Sequence, residues 1–280
     1  MKTITIDKVK LGPEAPFLLI AGPCVIESLD NLRETAAGLK EITDKLGVGL
    51  LFKSSFDKAN RSSLTSFRGP GLKKGLDLLE KIKTEFEIPV LSDIHEVAQV
   101  ESCSKVLDCL QIPAFLARQT DLLVAAARSG LPINIKKGQF MAPSDMGYAV
   151  EKMVAQGDFA GLSLCERGSC FGYHNLVVDM RSLVVMRTFG WPIVFDATHS
   201  VQLPAALDGQ SGGEREYVPY LSAAAVAVGV DGIFMETHPD PSKALCDGPN
   251  QWPLGKLEPL LKHLLNIRKA RDNFDEEFQV

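Results

Sequence analysis

Residues 17–22 read FLLIAG and residues 50–54 read LLFKS, and the segment NLRETAAGLKEITDKLG at 31–47 lies between them. The two short runs are apolar on both faces, which is typical of strands buried in a parallel sheet. The segment between them has the helix-forming composition and apolar spacing of a crossover helix. This stretch therefore predicts one β-α-β unit.

Six further apolar runs continue the alternation, and helical segments such as GLKKGLDLLEKIKTEF at 71–86 lie between runs. The runs are PVLSD at 89–93, CLQIPA at 109–114, INIKK at 133–137, LSLCERG at 162–168, PIVFDAT at 192–198 and GIFMET at 232–237. Eight such units are the number that closes a (β/α)8 barrel. A doubly wound open sheet is the alternative, but no GxGxxG turn follows the first strand.

Polar side chains collect where the predicted strands end, at Cys24, Lys53, Asp93, Gln111, Lys136, Arg167, His199 and Glu236. In a closed barrel these ends converge on one mouth, whereas in an open sheet they spread along an edge. We therefore expect an α/β fold, a (β/α)8 TIM barrel built from a single domain, residues 1–280. The alternating segment 1–12 predicts a short N-terminal β-hairpin that closes the opposite end of the barrel.

Three long connections, at 54–71, 199–215 and 238–253, are predicted loops at the catalytic end of the barrel. Long loops at that end are candidate lids over a site. The glycine-rich stretch 209–213 gives the second loop the backbone freedom that closure needs.

The chain is acidic, with a net charge of −5 and a sequence pI near 5.6. It is not expected to bind nucleic acid, because phosphate contacts need a basic surface. No apolar run approaches the roughly 20 residues that span a bilayer, and the start MKTITIDKVK lacks the apolar core of a signal peptide. We expect a cytoplasmic protein with no membrane partner, whose six cysteines are reduced.

The segment FKSSFDKANRSSLTSFRGPG at 52–71 gathers four cations among hydroxyl and glycine residues: Lys53, Lys58, Arg61 and Arg68. A guanidinium beside hydroxyl donors, as in Arg61 with Ser62, satisfies several phosphate oxygens at once. The composition indicates phosphate binding, and a solvated basic loop is the alternative.

Lys136 and Lys137 end the fifth predicted strand and Arg167 ends the sixth. A lysine within an apolar strand is costly unless it meets an anion. A lysine that extends its amine to solvent at the strand end is the alternative. Together with the loop cations, these side chains carry enough positive charge for two phosphates and a carboxylate.

Four side chains offer the donor atoms of a transition-metal site: Cys24, His199, Glu236 and Asp247. Thiolate, imidazole and carboxylate groups suit a divalent transition metal. No local spacing rule links the four positions. From residue types alone, core packing for the cysteine and hydrogen-bonding roles for the other three stay open.

Long motifs throughout the chain resemble the 3-deoxy-D-manno-octulosonate 8-phosphate synthases. They are IAGPCVIES, FKSSFDKANRSS, FRGPG, IPAFLARQTDLL, NIKKGQF, FGYHNLVVDMR, DATHSVQLP, SGG and METHPDP. The resemblance implies a barrel transferase, usually a homotetramer, in the biosynthesis of the lipopolysaccharide sugar KDO. Its reaction adds phosphoenolpyruvate to arabinose 5-phosphate in an aldol-type condensation and releases inorganic phosphate.

The resemblance also implies a role for each matching residue. The implied catalytic residues are Lys58, Asn60, Lys136, His199 and Asp247. The implied substrate contacts are Lys53, Lys58, Asn60, Arg61, Ser62, Asp93, Gln111, Ala114, Lys136 and Arg167. Among these, Asn60, Arg61 and Ser62 are implied to hold the pentose phosphate, and whether Arg61 and Ser62 serve their own subunit or a neighbour stays open.

The family has a metal-dependent branch with cysteine after Gly-Pro and a metal-independent branch with asparagine there. Cys24 places the chain with the metal-dependent branch. This resemblance implies that a divalent metal, Mn, Zn, Fe, Co or Cd, binds to Cys24, His199, Glu236 and Asp247. The triplet 246–248, Cys-Asp-Gly, is closer to the metal-independent branch, because metal-dependent members often carry serine before the aspartate.

Two rival functions are compatible with such a barrel. The related 3-deoxy-D-arabino-heptulosonate 7-phosphate synthases use erythrose 4-phosphate and usually carry Lys-Pro-Arg where this chain has Lys-Ala-Asn-Arg at 58–61. An asparagine amide can donate to a sugar hydroxyl, whereas a proline cannot. A catalytically silent sugar-phosphate sensor would lack some cations or metal donors, and this sequence retains all of them.

Overall fold

A computed structural model of the protein describes residues 1–61, 63–207 and 210–275. Its strands are β1 Ile4–Ile6, β2 Val9–Leu11, β3 Leu18–Gly22, β4 Gly49–Lys53, β5 Val90–Asp93, β6 Cys109–Ile112, β7 Ile133–Lys136, β8 Leu162–Glu166, β9 Ile193–Asp196, β10 Gln202–Leu207, β11 Gln210–Gly213, β12 Gly232–His238 and β13 Trp252–Pro253. Its α-helices are α1 Leu29–Leu46, α2 Leu72–Phe86, α3 Val100–Ser104, α4 Thr120–Ala127, α5 Met146–Val154, α6 Arg181–Arg187, α7 Val218–Val228 and α8 Leu257–Asp275.

Strands β3 to β9 and β12 pair side by side in parallel and form a closed ring. The ring closes at β12, where Gly232 lies opposite Leu18 of β3 on one side and Val194 of β9 on the other. A helix follows each strand of the ring, and β13 adds a short parallel pairing to the end of β12. The predicted (β/α)8 barrel is confirmed, and each of the eight predicted strands overlaps an observed one.

Local sequence signals fix the ends of the first crossover helix. Ser28 caps α1, since its Oγ accepts a hydrogen bond from the Asn31 amide at 3.1 Å. Gly47 ends the helix with φ at 66°, a left-handed conformation that glycine adopts without strain. Leu32 and Leu39 are fully buried against the barrel. The helix thus begins and ends where the sequence places its caps, which positions the turn that follows β3.

The predicted N-terminal hairpin is confirmed as β1 and β2, which pair antiparallel. It packs against the N-terminal ends of the barrel strands. A Cβ added to Gly161, just before β8, would lie 2.6 Å from Cγ2 of Ile4. One added to Gly232, the first residue of β12, would lie 3.4 Å from Cδ1 of Leu11. The hairpin therefore covers the end of the barrel opposite to the mouth.

A row of hydrogen-bonded polar side chains crosses β6, β7 and β8. The Gln111 amide nitrogen donates to Oδ1 of Asn134 at 2.8 Å, and the Asn134 amide nitrogen donates to Oγ of Ser163 at 2.9 Å. All three side chains are buried, and the three residues lie directly opposite one another in the sheet register. Since buried polar groups are costly unless paired, this row favours one strand register.

The prediction of an irregular loop at 199–215 is wrong for most of its length. Strands β10 and β11 form an antiparallel hairpin with an irregular register between Leu203 and Leu207. The backbone of QLPAAL pairs with that of QSGG, and the hydrogen bonds between the two strands are ones that an irregular loop would lack. Residues 208 and 209, including the predicted hinge Gly209, lie outside the described residues, and closure of this segment stays a prediction.

Within the described residues, no helix combines the length and the apolar character that crossing a membrane requires.

Gly22, the last residue of β3, is a position where we expect a large effect on stability. Its φ is +156°, and a Cβ there would lie 2.0 Å from the carbonyl oxygen of Lys53. Because that oxygen belongs to the neighbouring backbone, Gly22→Ala should lower the free energy of unfolding by about 2–4 kcal/mol, as measured by urea unfolding. Gly255→Ala is the control, since its added Cβ meets open space. Equal unfolding midpoints for the two variants would contradict the assigned close approach.

Candidate active site

The carboxyl ends of the barrel strands bring the predicted polar residues into one mouth. Glu236, on β12, is 1% exposed, and its Oε1 lies 3.2 Å from the Lys53 amine and 3.4 Å from the Lys58 amine. The same oxygen lies 3.7 Å from Nε2 of His199. Burial alone would raise the pKa of the Glu236 carboxyl, but Lys58, His199 and Lys53 outweigh it and hold that pKa well below its usual range. Glu236 is thus a buried carboxylate.

Asp196 organises two of the predicted catalytic residues. Its Oδ2 lies 2.6 Å from the Lys136 amine and 2.9 Å from Nδ1 of His199. Burial opposes ionisation, yet His199 and Lys136 together hold the pKa of the Asp196 carboxyl well below its usual range. The Lys136 amine also lies 3.6 Å from the centre of the Phe234 ring, a favourable cation–π distance. With Nδ1 facing Asp196, the His199 ring keeps Nε2 directed toward Glu236.

A second group of donors lies around Cys24, just beyond the end of β3. The Cys24 Sγ is 2.9 Å from Sγ of Cys246 and 3.7 Å from Oδ2 of Asp247. Burial raises the pKa of the Cys24 thiol well above its ordinary value, and the hydrogen bond with Cys246 adds to this shift. A cation would have to displace the thiol proton, as is usual for thiolate ligands.

The donor set fits a divalent transition metal. Donor atoms of His199, Glu236 and Asp247 lie within 4.8 Å of one another, and so do those of Cys24, Cys246 and Asp247. The two groups share Asp247, so the other three predicted ligands lie around its carboxylate. The Glu236 Oε2 atom is buried and has no hydrogen-bond partner among the described groups. A buried carboxylate oxygen without a partner, next to imidazole and thiol donors, is the arrangement that a cation would complete.

Cations with unused hydrogen-bonding capacity make the mouth suitable for anions. Arg167 is 5% exposed, and Nη2 donates to Oε1 of Gln202 at 3.1 Å. Its Nε and Nη1 atoms have no partner among the described groups, and burial lowers the pKa of this guanidinium. Burial also opposes the charge of Lys58, but Cys24 and Glu236 reverse that effect and raise the pKa of the Lys58 amine. Both side chains are poised to bind phosphate or carboxylate oxygens.

The remaining predicted contacts line the other side of the mouth. Asp93, at the end of β5, receives a hydrogen bond of 3.0 Å from Nε2 of His95, and its Oδ1 has no partner in the described part of the chain. Despite burial, His95 and Lys53 hold the pKa of the Asp93 carboxyl well below its usual range. Gln111 is engaged with Asn134. Ala114 is buried and begins a 3-10 turn two residues after the end of β6.

The loop after β4 carries the residues implied for the pentose phosphate. Arg61 lies in the mouth of its own chain, where Nη1 is 3.0 Å from Sγ of Cys246 and 3.4 Å from Oδ1 of Asp247. Asn60 is exposed on the loop, and Ser62 lies outside the described residues. Arg68 points away from this group and pairs with Asp57 at 2.8 and 2.5 Å. Only part of the predicted basic loop therefore faces the site.

Lys137 does not join its neighbour Lys136 in the mouth. Its amine is buried, lies 3.4 Å from Oε1 of Glu166, and donates to the Gly168 carbonyl at 3.2 Å and the Ser169 hydroxyl at 3.0 Å. Burial lowers the pKa of the Lys137 amine. This side chain ties the turn after β7 to the turn after β8, a structural role.

The sequence did not single out three residues that shape the site. Asp196 holds His199 and Lys136, Cys246 contacts Cys24, and His95 contacts Asp93. A usable signal existed for Asp196, because a metal-ligating histidine usually donates its other ring nitrogen to a partner such as a carboxylate, and Asp196 lies three residues before His199. Cys246 could have been predicted as a site residue because it directly precedes the candidate ligand Asp247. The packing of Gln251 between Cys24 and Cys246 had no sequence signal.

With His199 as a candidate metal ligand, replacing Asp196 with asparagine should weaken the binding of an added metal by about 10- to 100-fold, because the amide keeps the shape but loses the charge that orients His199. Competition with a chelating dye measures the change for Zn²⁺ or Co²⁺. Asp231→Asn is a matched control, since Asp231 is a buried carboxylate that precedes β12 at the opposite end of the barrel. Equal affinities for both variants would contradict the orienting role.

Comparison with known proteins identifies the family of the chain. The family model described as the DAHP synthetase I family matches residues 2–272. The 2-dehydro-3-deoxyphosphooctonate aldolase of Geobacter metallireducens is 58% identical over 95% of this chain and 97% of its own length. The proteins of that name from Variovorax paradoxus and Stenotrophomonas maltophilia strain K279a are 59% and 57% identical, over 96% and 92% of this chain and 97% and 93% of theirs. The chain therefore belongs to the DAHP synthetase I family and, within it, to the group formed by these 2-dehydro-3-deoxyphosphooctonate aldolases.

Proposed function

We propose that this chain is a 3-deoxy-8-phosphooctulonate synthase. It joins C3 of phosphoenolpyruvate to the aldehyde carbon of D-arabinose 5-phosphate, water adds at C2, and inorganic phosphate leaves by cleavage of the C2–O bond. The product is 3-deoxy-D-manno-octulosonate 8-phosphate, a precursor of the lipopolysaccharide sugar KDO. The relatives at 55–59% identity, whose name refers to the same octulosonate phosphate, support this assignment.

One observation carries the proposal: cations at or beyond the carboxyl ends of β4, β7 and β8 converge on a single mouth. Lys53, Lys58 and Lys136 approach Glu236 or Asp196, and Arg167 keeps two guanidinium nitrogens unpaired among the described residues. Phosphoenolpyruvate carries a phosphate and a carboxylate, and in this proposal Lys58, Lys136 and Arg167 bind them while Lys53, Gln111 and the Ala114 backbone complete the pocket. Such fixed cations stabilise charge that develops as the new bond forms.

The pentose end of the site rests on the loop after β4. In the proposal, Asn60, Arg61 and Ser62 hold arabinose 5-phosphate, and Asp93 accepts from a sugar hydroxyl. Arg61 already lies in the mouth beside Asp247 at 3.4 Å. Asp93 is buried and its Oδ1 has no partner among the described groups, so a sugar without the matching hydroxyl would leave that oxygen unpaired, and the site would discriminate against such a sugar.

The proposed cofactor is a divalent metal, one of Mn, Zn, Fe, Co or Cd, held by Cys24, His199, Glu236 and Asp247. When bound, such an ion supplies Lewis-acid polarisation of an oxygen ligand. With Nδ1 held by Asp196 and Nε2 left for the ion, His199 serves as a ligand. The second carboxylate oxygen of Asp247 orients the water by a hydrogen bond, and Lys136 stabilises negative charge beside it. Asp196 fixes both His199 and Lys136 in position.

The alternative substrate, erythrose 4-phosphate, is favoured only by the name of the broader family. The individual relatives carry the octulosonate name instead. Asn60 stands where the heptulosonate enzymes usually have proline, and its amide suits the longer sugar. The octulosonate synthase activity is therefore preferred, and the assay described below includes erythrose 4-phosphate as the competing substrate.

We further propose a cytoplasmic homotetramer. Large exposed side chains support an oligomer: Phe115, Phe140 and Tyr148 are 54%, 54% and 65% exposed. Tyr148 also lines a surface groove with Met141 and Arg118. Exposed aromatic groups of this kind mark contact surfaces. Sedimentation equilibrium gives the subunit number.

Phosphate release tests the function directly. Enzyme is stripped with a chelator, supplied in turn with Mn²⁺, Zn²⁺, Fe²⁺ or Co²⁺, and assayed with phosphoenolpyruvate and either arabinose 5-phosphate or erythrose 4-phosphate. We expect turnover with the pentose phosphate only, lost on stripping and restored by metal. Turnover with erythrose 4-phosphate alone would overturn the substrate assignment. Full activity of the stripped enzyme would leave the synthase assignment intact and remove the metal from it.

A further inference from the structure

Cys246 lies in the connection between β12 and β13, yet its thiol meets that of Cys24, which follows β3. The two sulfur atoms are 2.9 Å apart, and the residues are 2% and 0% exposed. The Gln251 side chain holds the two backbones together: its Oε1 accepts from the Cys24 amide at 3.3 Å and its Nε2 donates to the Cys246 carbonyl at 2.8 Å. The second thiol is therefore fixed in the mouth of the barrel and is not part of the main hydrophobic core.

The geometry allows both thiols to reach one ion. A thiolate binds Zn²⁺ at about 2.3 Å, so two sulfur ligands of one tetrahedral ion lie about 3.8 Å apart. The donor atoms of Cys24, Cys246 and Asp247 lie within 4.8 Å of one another. The two sulfur atoms, now 2.9 Å apart as a hydrogen-bonded thiol pair, would have to separate by about 1 Å to bind one tetrahedral ion. Asp247 links this group to His199 and Glu236.

Nearby cations can balance the negative charge of a second thiolate. Arg61 approaches Sγ of Cys246 at 3.0 Å, and Lys53 and Lys58 lie at 3.2 and 3.4 Å from Glu236. Buried charges persist only when paired or bound to metal. The mouth thus holds three cations against two thiols and two carboxylates, so with both thiols ionised the named charges nearly cancel, before and after a divalent ion binds.

We infer that Cys246 is a second thiolate ligand of the metal, alongside Cys24. This inference rests on the metal requirement in the proposed function and deepens it by naming a donor and a preference. Two soft sulfur ligands favour Cd²⁺, Zn²⁺, Co²⁺ and Fe²⁺ over Mn²⁺, which prefers oxygen. Cys246 then contributes more than packing, and the Cys-Asp sequence at 246–247 supplies two adjacent ligands.

Cadmium binding tests the inference without an activity assay. The full-length protein is reduced, stripped of metal, kept under argon and titrated with Cd²⁺ while the sulfur-to-cadmium charge-transfer absorption is followed. The wild type is compared with Cys246→Ser, Cys24→Ser and the control Cys103→Ser, whose thiol is buried outside the mouth. We expect one Cd²⁺ per chain, an absorption that falls by about half in each of the first two variants, and no change in the control.

The wild type alone gives a second readout, because the ¹¹³Cd resonance moves downfield with each added thiolate. A shift typical of one sulfur ligand would overturn the inference even if Cys246→Ser did not fold. Full absorption in folded Cys246→Ser would do the same while leaving the metal site in place. Absence of bound Cd²⁺ in the wild type would remove the metal from the proposed function as well, and the phosphate-release assay would then report separately on the synthase activity.

Discussion

Lys136→Met is expected to lower kcat/KM for phosphoenolpyruvate and arabinose 5-phosphate by about 10²- to 10³-fold, as is typical when a preorganised charge at the reacting centre is removed. The Lys136 amine is fixed by Asp196 at 2.6 Å and by the face of the Phe234 ring at 3.6 Å. A cation held in this way needs no reorganisation when negative charge develops beside it. Steady-state phosphate release measures the loss.

Lys105→Met is the matched control for this prediction. Lys105 follows the outer helix α3, is 68% exposed at its side chain and pairs with Glu101. Its replacement should leave kcat/KM unchanged. Lys136→Arg keeps the charge but moves it, so a partial recovery is expected relative to methionine. If Lys136→Met retained full activity while binding phosphoenolpyruvate normally, Lys136 would lie outside the reacting centre.

Glu236→Gln is expected to lower the free energy of unfolding of metal-free protein by about 3–5 kcal/mol, because it leaves buried cations without their partner. Lys53 and Lys58 lie 3.2 and 3.4 Å from Oε1, and the carboxylate is 1% exposed. Urea unfolding at pH 7 with a chelator present measures the change. Glu101→Gln, which alters an exposed helix pair, is the control and should have a small effect.

The sign of the pH dependence follows from the same carboxylate. The folded pKa of Glu236 lies below its unfolded value, which is about 4.3. Its contribution to stability is therefore present above pH 4.3 and is lost as the pH falls toward the folded pKa. The difference in unfolding free energy between wild type and Glu236→Gln should shrink as the pH is lowered from 7 to 3. A constant difference would contradict the assigned charge.

The barrel was predictable because its signals are local and repeat. Each strand is a short apolar run and each crossover carries helix formers, and α1 also has recognisable caps in Ser28 and Gly47. The hairpin β10–β11 was missed because its pairing sets QLPAAL against QSGG, and small residues give a weak strand signal. The hairpin is stabilised by the pairing of its two strands, and the sequence of either strand alone does not indicate that pairing.

The site was predictable in its list of residues and less so in its contacts. Lys53, Lys136 and Glu236 were predicted as site residues because each is a charged residue at the end of a predicted strand, and a closed barrel brings those ends together. The same reasoning placed Lys137 in the mouth together with Lys136. That placement was wrong because successive strand residues point to opposite faces. The partnership of Cys24 with Cys246 spans 222 residues and depends on how two connections fold over the mouth. Sequence spacing carries no information about such a contact.

The N-terminal hairpin has a practical consequence for work on this protein. Ile4 and Leu11 pack near Gly161 and Gly232, which lie at the start of β8 and β12, so the chain begins at the end of the barrel remote from the substrate entrance. A purification tag or surface tether joined to the N-terminus would project from that far end. Molecules immobilised through it would keep their entrances facing the surrounding solution.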